Sequence, residues 1–489
     1  MALEDKDLRS IQEVRDLLKK AKAAQAILAT FSQEKIDELV RAISEKTYAK
    51  RVELAKMANE ETGFGRWEDK VIKNLFASKV VYDSIKDMKT VGILREDMEE
   101  KLIEVAVPVG VVAGIIPSTN PTSTAIYKAM IAIKSGNSIV FSPHPGALKS
   151  ILATVEIIRE ALAELNVPVD AVGVISIPTM QATQELMKHP LTNLILATGG
   201  NAMVKSAYSS GTPAIGVGPG NGPAYITSTA DIPKAVKCIM DSKTFDNGTI
   251  CASEQSVIVE KSTDAQIKAE FAKNGGYFLT KEQAEKLSKF ILRPNGTMNP
   301  QIVGRDVHTI ARLAEITIPT DARVLLAPEE NVGLQYPYSR EKLCPILAYY
   351  VVENHEEACN LAIEILMGEG AGHTMAMHTE SRELIKEFAL KKPVNRLLIN
   401  TPAALGGIGA STALAPALTL GNGAIGGSAS SDNITPLHLL NIRRVAFGQM
   451  GLEEIRAMDT QCEVNATSCS QEQLIESIVA QVFEQLKNK

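Results

Sequence analysis

The sequence predicts an α/β protein built on parallel sheet, and three observations carry that prediction. From residue 109 to 209, strand-length apolar runs alternate with amphipathic helix-length segments at the spacing of βαβ units. From Cys251 to about Gly427 the alternation resumes, which predicts a second α/β domain. At several strand ends the apolar run gives way to Gly, Pro, Asn and Thr, and ligands of such sheets sit at the carboxyl ends of the strands.

Residues up to about Lys86 read as helices. Leu8, Ile11, Val14, Leu17 and Leu18 keep helical spacing, and Ser32 before Gln33-Glu34 caps the next helix. Gly63 and Gly65 punctuate the chain before a helix that begins near Trp67. Residues 90–108 are two alternating segments around Arg95-Glu96-Asp97-Met98-Glu99-Glu100-Lys101, a hairpin pattern suited to pairing with another subunit. Strands are then expected at 109–116, 138–141, 172–175 and 193–196. Helices are expected at 123–134, 147–165, 180–188 and 202–209. Residues 406–427 are a loop rich in Gly and Ala that runs into Ser428-Ala429-Ser430-Ser431-Asp432-Asn433-Ile434-Thr435-Pro436. After Met458 a polar linker (460–471) leads to a terminal amphipathic helix (473–487). Its apolar face is Leu474, Ile475, Ile478, Val479, Val482, Phe483 and Leu486. A helix isolated behind a linker is more often a docking element than core.

Composition removes several function classes. A net charge of −6 leaves no basic footprint for nucleic acid. The longest apolar run, 105–116, is too short to span a bilayer and contains Pro108. The charged N-terminus lacks a signal-peptide core, so the expected location is cytoplasmic. Six scattered cysteines, without zinc-type pairing, read as reduced thiols rather than a disulfide framework, and no metal site is expected. His355 and Cys359 have metal-like helical spacing but no third ligand nearby. His373 and His378 read as structural or loop residues.

Four stretches can carry chemistry. Phe245 to Gln255 (F-D-N-G-T-I-C-A-S-E-Q) delivers Cys251 to a strand edge through an Asn247-Gly248 turn. A free cysteine is as readily a small buried hydrophobe as a nucleophile, so this window alone leaves both open. Pro117-Ser118-Thr119-Asn120-Pro121-Thr122 is a proline-stiffened turn that holds the Asn120 amide in one direction. That amide suits either an oxyanion donor or a helix cap. Thr198-Gly199-Gly200-Asn201 passes from strand to helix, a geometry that aims N–H groups at an anion such as a pyrophosphate. It lacks the full G-x-G-x-x-G. Gly216 to Pro223 carries four alternating glycines that admit a close-approaching backbone or ligand.

Six motifs, in order, resemble the aldehyde dehydrogenase superfamily and its CoA-acylating branch: P-S-T-N-P-T (117–122), A-T-G-G-N (197–201), G-V-G-P-G-N-G-P (216–223), the Cys251 window, E-K-L-C-P-I (341–346) and S-D-N-I-T-P (431–436). The Cys251 window is similar to the aldehyde dehydrogenase half of bifunctional aldehyde–alcohol dehydrogenases and to enzymes of glycyl-radical microcompartments. The resemblance implies a Rossmann-type dinucleotide domain (1–89 and 110–220) and an α/β catalytic domain (221–435). It also implies oligomerisation elements (90–109 and 436–450) in a homodimer or homotetramer.

By the same resemblance Cys251 is the nucleophile, and Asn120 with the Cys251 N–H forms the oxyanion hole. Glu341 binds the ribose beside nicotinamide. Thr198, Gly199, Gly200 and Gly218 line the cofactor, with Ser142 and His144 towards its far end. Two departures from hydrolysing members stand out. The place of their water-activating glutamate, near Val217 and Gly218, holds no acid. Their adenosine-ribose lysine and glutamate are replaced by Ser142 and Pro145, which leaves NAD versus NADP open. Poor water activation favours CoA as acyl acceptor. The implied reaction is a short aldehyde (acetaldehyde or propionaldehyde, with sulfoacetaldehyde as the alternative) plus CoA and NAD to acyl-CoA and NADH. The tail (460–489) is similar to encapsulation peptides, which would make microcompartment shell proteins its partners.

Overall fold

The structure, a computed structural model, describes residues 4–458, 475–476 and 478–481. The linker at 460–471 and most of the predicted terminal helix lie outside the described residues. The described tail residues are helical.

The chain opens with helices α1 (Lys6–Leu28), α2 (Gln33–Ala49), α3 (Arg51–Thr62), α4 (Trp67–Leu75) and α5 (Val81–Ile85), with a π turn, Phe76–Val80, joining the last two. Ser32 caps α2 by accepting from the Lys35 N–H, as its position before Gln33-Glu34 predicts. The segment expected as one helix after Ser32 is two. At Lys50 the helical path breaks (φ −92, ψ 6), and α3 starts anew. Gly63 ends α3 in the left-handed conformation (φ 64), which costs a residue without Cβ nothing.

Strand β1 (Gly92–Asp97) and β2 (Leu102–Pro108) are the predicted hairpin. They share a three-stranded sheet with β15 (Leu440–Ala446), in the order β1-β2-β15. Ile93–Ala106 and the described residues from Ile442 onward form a unit of their own; the remaining described residues form the other.

In the larger unit the alternation follows prediction closely: β3 (Val111–Ile116), α6 (Pro121–Lys134), β4 (Ser138–Pro143), α7 (Leu148–Glu164), β5 (Val172–Val174), α8 (Met180–Lys188), β6 (Leu194–Thr198) and α9 (Asn201–Tyr208). A further strand, β7 (Ala214–Val217), lies in the glycine-rich stretch. These strands form a five-stranded parallel sheet ordered β5-β4-β3-β6-β7. The order reverses between β3 and β6, and a ligand crevice opens at such a switch point. Lys128 of α6 ties these two strands together just below the crevice, donating to the carbonyls of Ile115 and Leu196 at 2.8 Å each. Burial holds that lysine well below its ordinary pKa.

After Val217 the chain enters a second sheet through β8 (Gly222–Ile226), α10 (Ile232–Thr244), β9 (Glu254–Glu260), α11 (Asp264–Lys273), β10 (Gly276–Phe278), α12 (Lys281–Ile291) and α13 (Val307–Leu313). It continues with β11 (Val324–Pro328), β12 (Ile346–Val352), α14 (His355–Gly368), β13 (Gly372–His378), α15 (Arg382–Lys391) and β14 (Val394–Ile399). The seven strands are parallel, in the order β10-β11-β12-β9-β8-β13-β14. Their inner residues, Val257, Ile258, Leu325, Leu347 and Met375 among them, are fully buried. That explains near-continuous apolar strands rather than alternating ones.

Candidate active site

The carboxyl ends of β3 and β6 deliver two of the predicted motifs to one place, and the loop before β9 delivers Cys251 to the same place. A cavity of about 270 Å³ is lined by Lys73, Asn120, Thr198, Gly218, Cys251 and Glu341. His144, Gly199 and Gly200 also line it, so eight of the nine predicted site residues meet here. The ninth, Ser142, lines an adjoining cavity of about 370 Å³ shared with His144 and Thr198–Gly200. Its hydroxyl bonds the Thr183 hydroxyl at 2.8 Å.

The Cys251 loop is wound tightly. Asp246, Asn247 and Gly248 are all left-handed (φ 47, 52 and 72), a run that Asp, Asn and Gly accept most cheaply. Asp246 is fully buried and anchors the turn: it accepts from the Arg66 N–H at 2.8 Å, from Lys70 Nζ at 3.0 Å and from Lys73 Nζ. Burial pulls the Asp246 carboxyl upward, but the two lysines outweigh it and hold it below its ordinary range.

Cys251 itself is half-buried. Burial pushes its thiol up to about 12, and the carboxyl of Glu341 adds to the rise against the opposing Arg396 and Lys73. The thiol is therefore neutral at pH 7 in this state. Among the described residues lining the cavity, Glu341 is the one carboxyl. Burial pushes it up to about 8, although its Oε1 accepts from the Gly220 N–H at 2.8 Å.

Asn120 occupies the position before α6 yet makes no side-chain cap, which decides against the capping alternative. Its Nδ2 donates to the Thr249 carbonyl at 3.3 Å, two residues before Cys251. Val217 and Gly218 line the wall and supply no acid, as expected from the sequence. The strand-to-helix turn at 198–201 is open: a Cβ at Gly200 would meet nothing within 4 Å. The Thr198 hydroxyl is shielded from water without a hydrogen-bond partner, a vacancy suited to a ligand acceptor.

The structure adds lining residues that sequence reasoning passed over. Lys73 sits in the helical block and shows no motif. Leu343 precedes β12, and Ile408, Leu418 and Leu420 of the Gly/Ala-rich loop form an apolar wall. His373, on β13, is fully buried with Nε2 unpartnered and Nδ1 2.9 Å from the Thr374 hydroxyl. Burial pushes it down to about 3, so the imidazole is neutral at pH 7. His355 is exposed on α14, whereas Cys359 is buried beside Lys392.

The sequence profile of the aldehyde dehydrogenase family matches residues 7–336. The chain belongs to the aldehyde dehydrogenase family. It is 44% identical over 442 residues to the bifunctional aldehyde-alcohol dehydrogenase of Escherichia coli (strain K12), covering 89% of this chain and 50% of that protein. The chain thus spans about half the length of the bifunctional relatives it matches. A probable aldehyde dehydrogenase from Listeria monocytogenes EGD-e superposes with a TM-score of 0.92 at 65% identity, over 92% of this chain and 100% of that one. An acetylating aldehyde dehydrogenase from Geobacillus thermoglucosidasius superposes with a TM-score of 0.91 at 52% identity, over 92% and 99% of the two chains. Members of this family named acetylating are thus among its near relatives.

Proposed function

We propose that this chain is a CoA-acylating aldehyde dehydrogenase that oxidises a short aldehyde, acetaldehyde or propionaldehyde, through a thioester on Cys251. The observation that carries this reading is one cavity joining Cys251, the Asn120 amide and Glu341 to an open Gly199-Gly200 turn, with no acid at Val217–Gly218. The acetylating relatives support the acyl acceptor.

In this mechanism the Cys251 thiol, neutral in the unliganded site, releases its proton to solvent as its sulfur adds to the aldehyde carbon, and the carbonyl oxygen takes the charge. Asn120 Nδ2 and the Cys251 N–H face that oxygen, and their fixed dipoles stabilise it at little reorganisation cost. A bound NAD would supply the hydride acceptor for that same carbon. Thr198, Gly199, Gly200 and Gly218 would hold its phosphates and Glu341 its nicotinamide-side ribose. Ser142 and His144 would hold its adenosine end, and no carboxylate among the described residues lining that adjoining cavity would reject NADP. The carbon left on Cys251 is an acyl thioester, which a CoA thiol then takes by exchange, returning the Cys251 sulfur. The CoA thiol proton ends on the released Cys251 sulfur, which regains its neutral form.

The small, largely apolar cavity wall of Ile250, Ile408, Leu418 and Leu420 favours an uncharged C2 or C3 aldehyde over sulfoacetaldehyde. The three-stranded unit is assigned to subunit pairing, and the tail to docking on microcompartment shell proteins. The test is mass spectrometry of the Cys251 peptide after mixing with propionaldehyde and NAD without CoA. A propionyl mass increment that CoA removes supports the thioester; an unmodified peptide with NADH still forming refutes it.

A further inference from the structure

An asparagine amide offers an acceptor and a donor on opposite sides, and only its surroundings decide which side faces a substrate. At Asn120 the surroundings leave no choice. Oδ1 lies 2.6 Å from Lys73 Nζ, and Nδ2 lies 3.3 Å from both the Thr119 hydroxyl and the Thr249 carbonyl. An ammonium only donates and a backbone carbonyl only accepts, so both contacts demand the same orientation.

Lys73 is itself held rigidly. It is 3% exposed, and its Nζ also donates to the Thr249 hydroxyl at 2.9 Å and to Asp246. Two lysines share that one carboxylate, and they are not equivalent. Lys70 neutralises Asp246 and donates to the Thr119 carbonyl at 3.1 Å, without lining the cavity. Lys73 lines the cavity and reaches the Asn120 side chain. A structural ion pair clamping α4 to the Cys251 loop needs only one lysine. The second is a buried cation whose remaining contacts are Asn120, Thr249 and the ring of Phe245, which fall on the Asn120 turn and on the Cys251 loop.

We propose that Lys73 is a positioning residue: anchored on Asp246, its ammonium fixes the Asn120 amide so that Nδ2 serves the oxyanion formed at Cys251. The proposal rests on the reading of Asn120 as the oxyanion donor. It deepens that reading by naming what aims the donor, the seventh residue of α4, a helix that bears no family motif.

The experiment is a double-mutant cycle with Lys73→Met and Asn120→Ala. Lys73→Met leaves Asp246 paired with Lys70, so no naked charge is buried. The readouts are kcat with propionaldehyde, NAD and CoA, NADH affinity by fluorescence, and thermal unfolding. Lys73→Met is expected to lower kcat at least about tenfold, with NADH affinity within about threefold of wild type. In the Asn120→Ala background it is expected to cost less than about threefold more, because its object is already gone. Equal factors in the two backgrounds would overturn the proposal, as would an equal loss from Lys70→Met, which disturbs the clamp without removing a direct contact to the Asn120 side chain. If Lys73→Met does not fold, Lys73→Gln passes through the same cycle, and additivity there overturns the proposal equally. A wild-type enzyme inactive on every C2 to C4 aldehyde would overturn the functional reading and this proposal together. An active wild type with an unimpaired Asn120→Ala would remove Asn120, and hence Lys73, from the mechanism.

Discussion

The carbonyl oxygen of Cys251 lies where Gly220 would carry a Cβ, only 1.8 Å from that position. No side chain of any size fits there, and the same glycine donates its N–H to Glu341. One backbone position thus sets both the height of the Cys251 loop and the place of the Glu341 carboxyl. Gly220→Ala must displace the Cys251 carbonyl by more than an ångström, and misplacement on that scale costs on the order of a hundredfold in rate. The variant is expected to fold, with a destabilisation of about 1–3 kcal/mol from overpacking, and to lose kcat by about that factor. Steady-state kinetics beside a thermal melt checks this; wild-type kcat in the variant would mean that the loop's height is immaterial.

Asn120→Ala removes the side-chain amide proposed as the oxyanion donor, which is hydrogen-bonded to the Cys251 loop through the Thr249 carbonyl. Loss of a single oxyanion-hole donor typically costs about 100- to 1000-fold in kcat. NADH affinity, measured by fluorescence titration, is expected to hold, because the Asn120 side chain bonds Lys73 and the Thr249 carbonyl and has no hydrogen bond to the Gly199-Gly200 turn. A fall in affinity with kcat preserved would reassign Asn120 to cofactor binding.

The sign of the Cys251 shift gives a pH prediction. Its thiol stands at about 12, so the thiolate fraction, and with it alkylation by iodoacetamide, should climb with pH from 7 to 10 without levelling off. Glu341 contributes to that rise once ionised, and it ionises at about 8. Glu341→Gln should therefore quicken alkylation at pH 9, where the wild-type carboxylate is charged, and change little at pH 6, where it is neutral. A plateau near pH 7, or an equal effect of Glu341→Gln at both values, would contradict this electrostatic picture.

The sequence disclosed the fold where periodicity was clean. The limits of α8 fell at 180 and 188 as predicted, and most other elements fell within a few residues. The break at Lys50 escaped because the helical spacing continues through it, and β7 escaped because Gly216 dilutes its apolar run. The cavity lining was legible where turn chemistry marks it: the left-handed Asn247-Gly248 turn leads into Cys251, and Thr198-Gly199-Gly200 carries a strand into a helix through ordinary extended backbone. Lys73 was not: a lysine on an amphipathic helix reads as solvated, and only the packing of α4 against the Cys251 loop buries it. The perturbed thiol was equally hidden, since it follows from burial and a carboxyl ninety residues away in the chain.

Removal of residues 460–489 is expected to leave catalysis unchanged, because every cavity-lining residue lies between Lys73 and Leu420. It should also abolish co-purification with shell proteins, and the segment fused to a fluorescent reporter should carry that reporter into shells. A truncated enzyme that loses kcat or unfolds would make the tail part of the catalytic fold.

The most direct measurement is product analysis with and without CoA, at equal propionaldehyde and NAD. Val217 and Gly218 offer no carboxylate to draw a proton from water, a contribution usually worth on the order of a hundredfold or more. The predicted result is propionyl-CoA in stoichiometry with NADH, and without CoA at most a single-turnover burst with little free acid. Rapid, sustained formation of propionate in the absence of CoA would contradict it and place this chain among the hydrolysing aldehyde dehydrogenases.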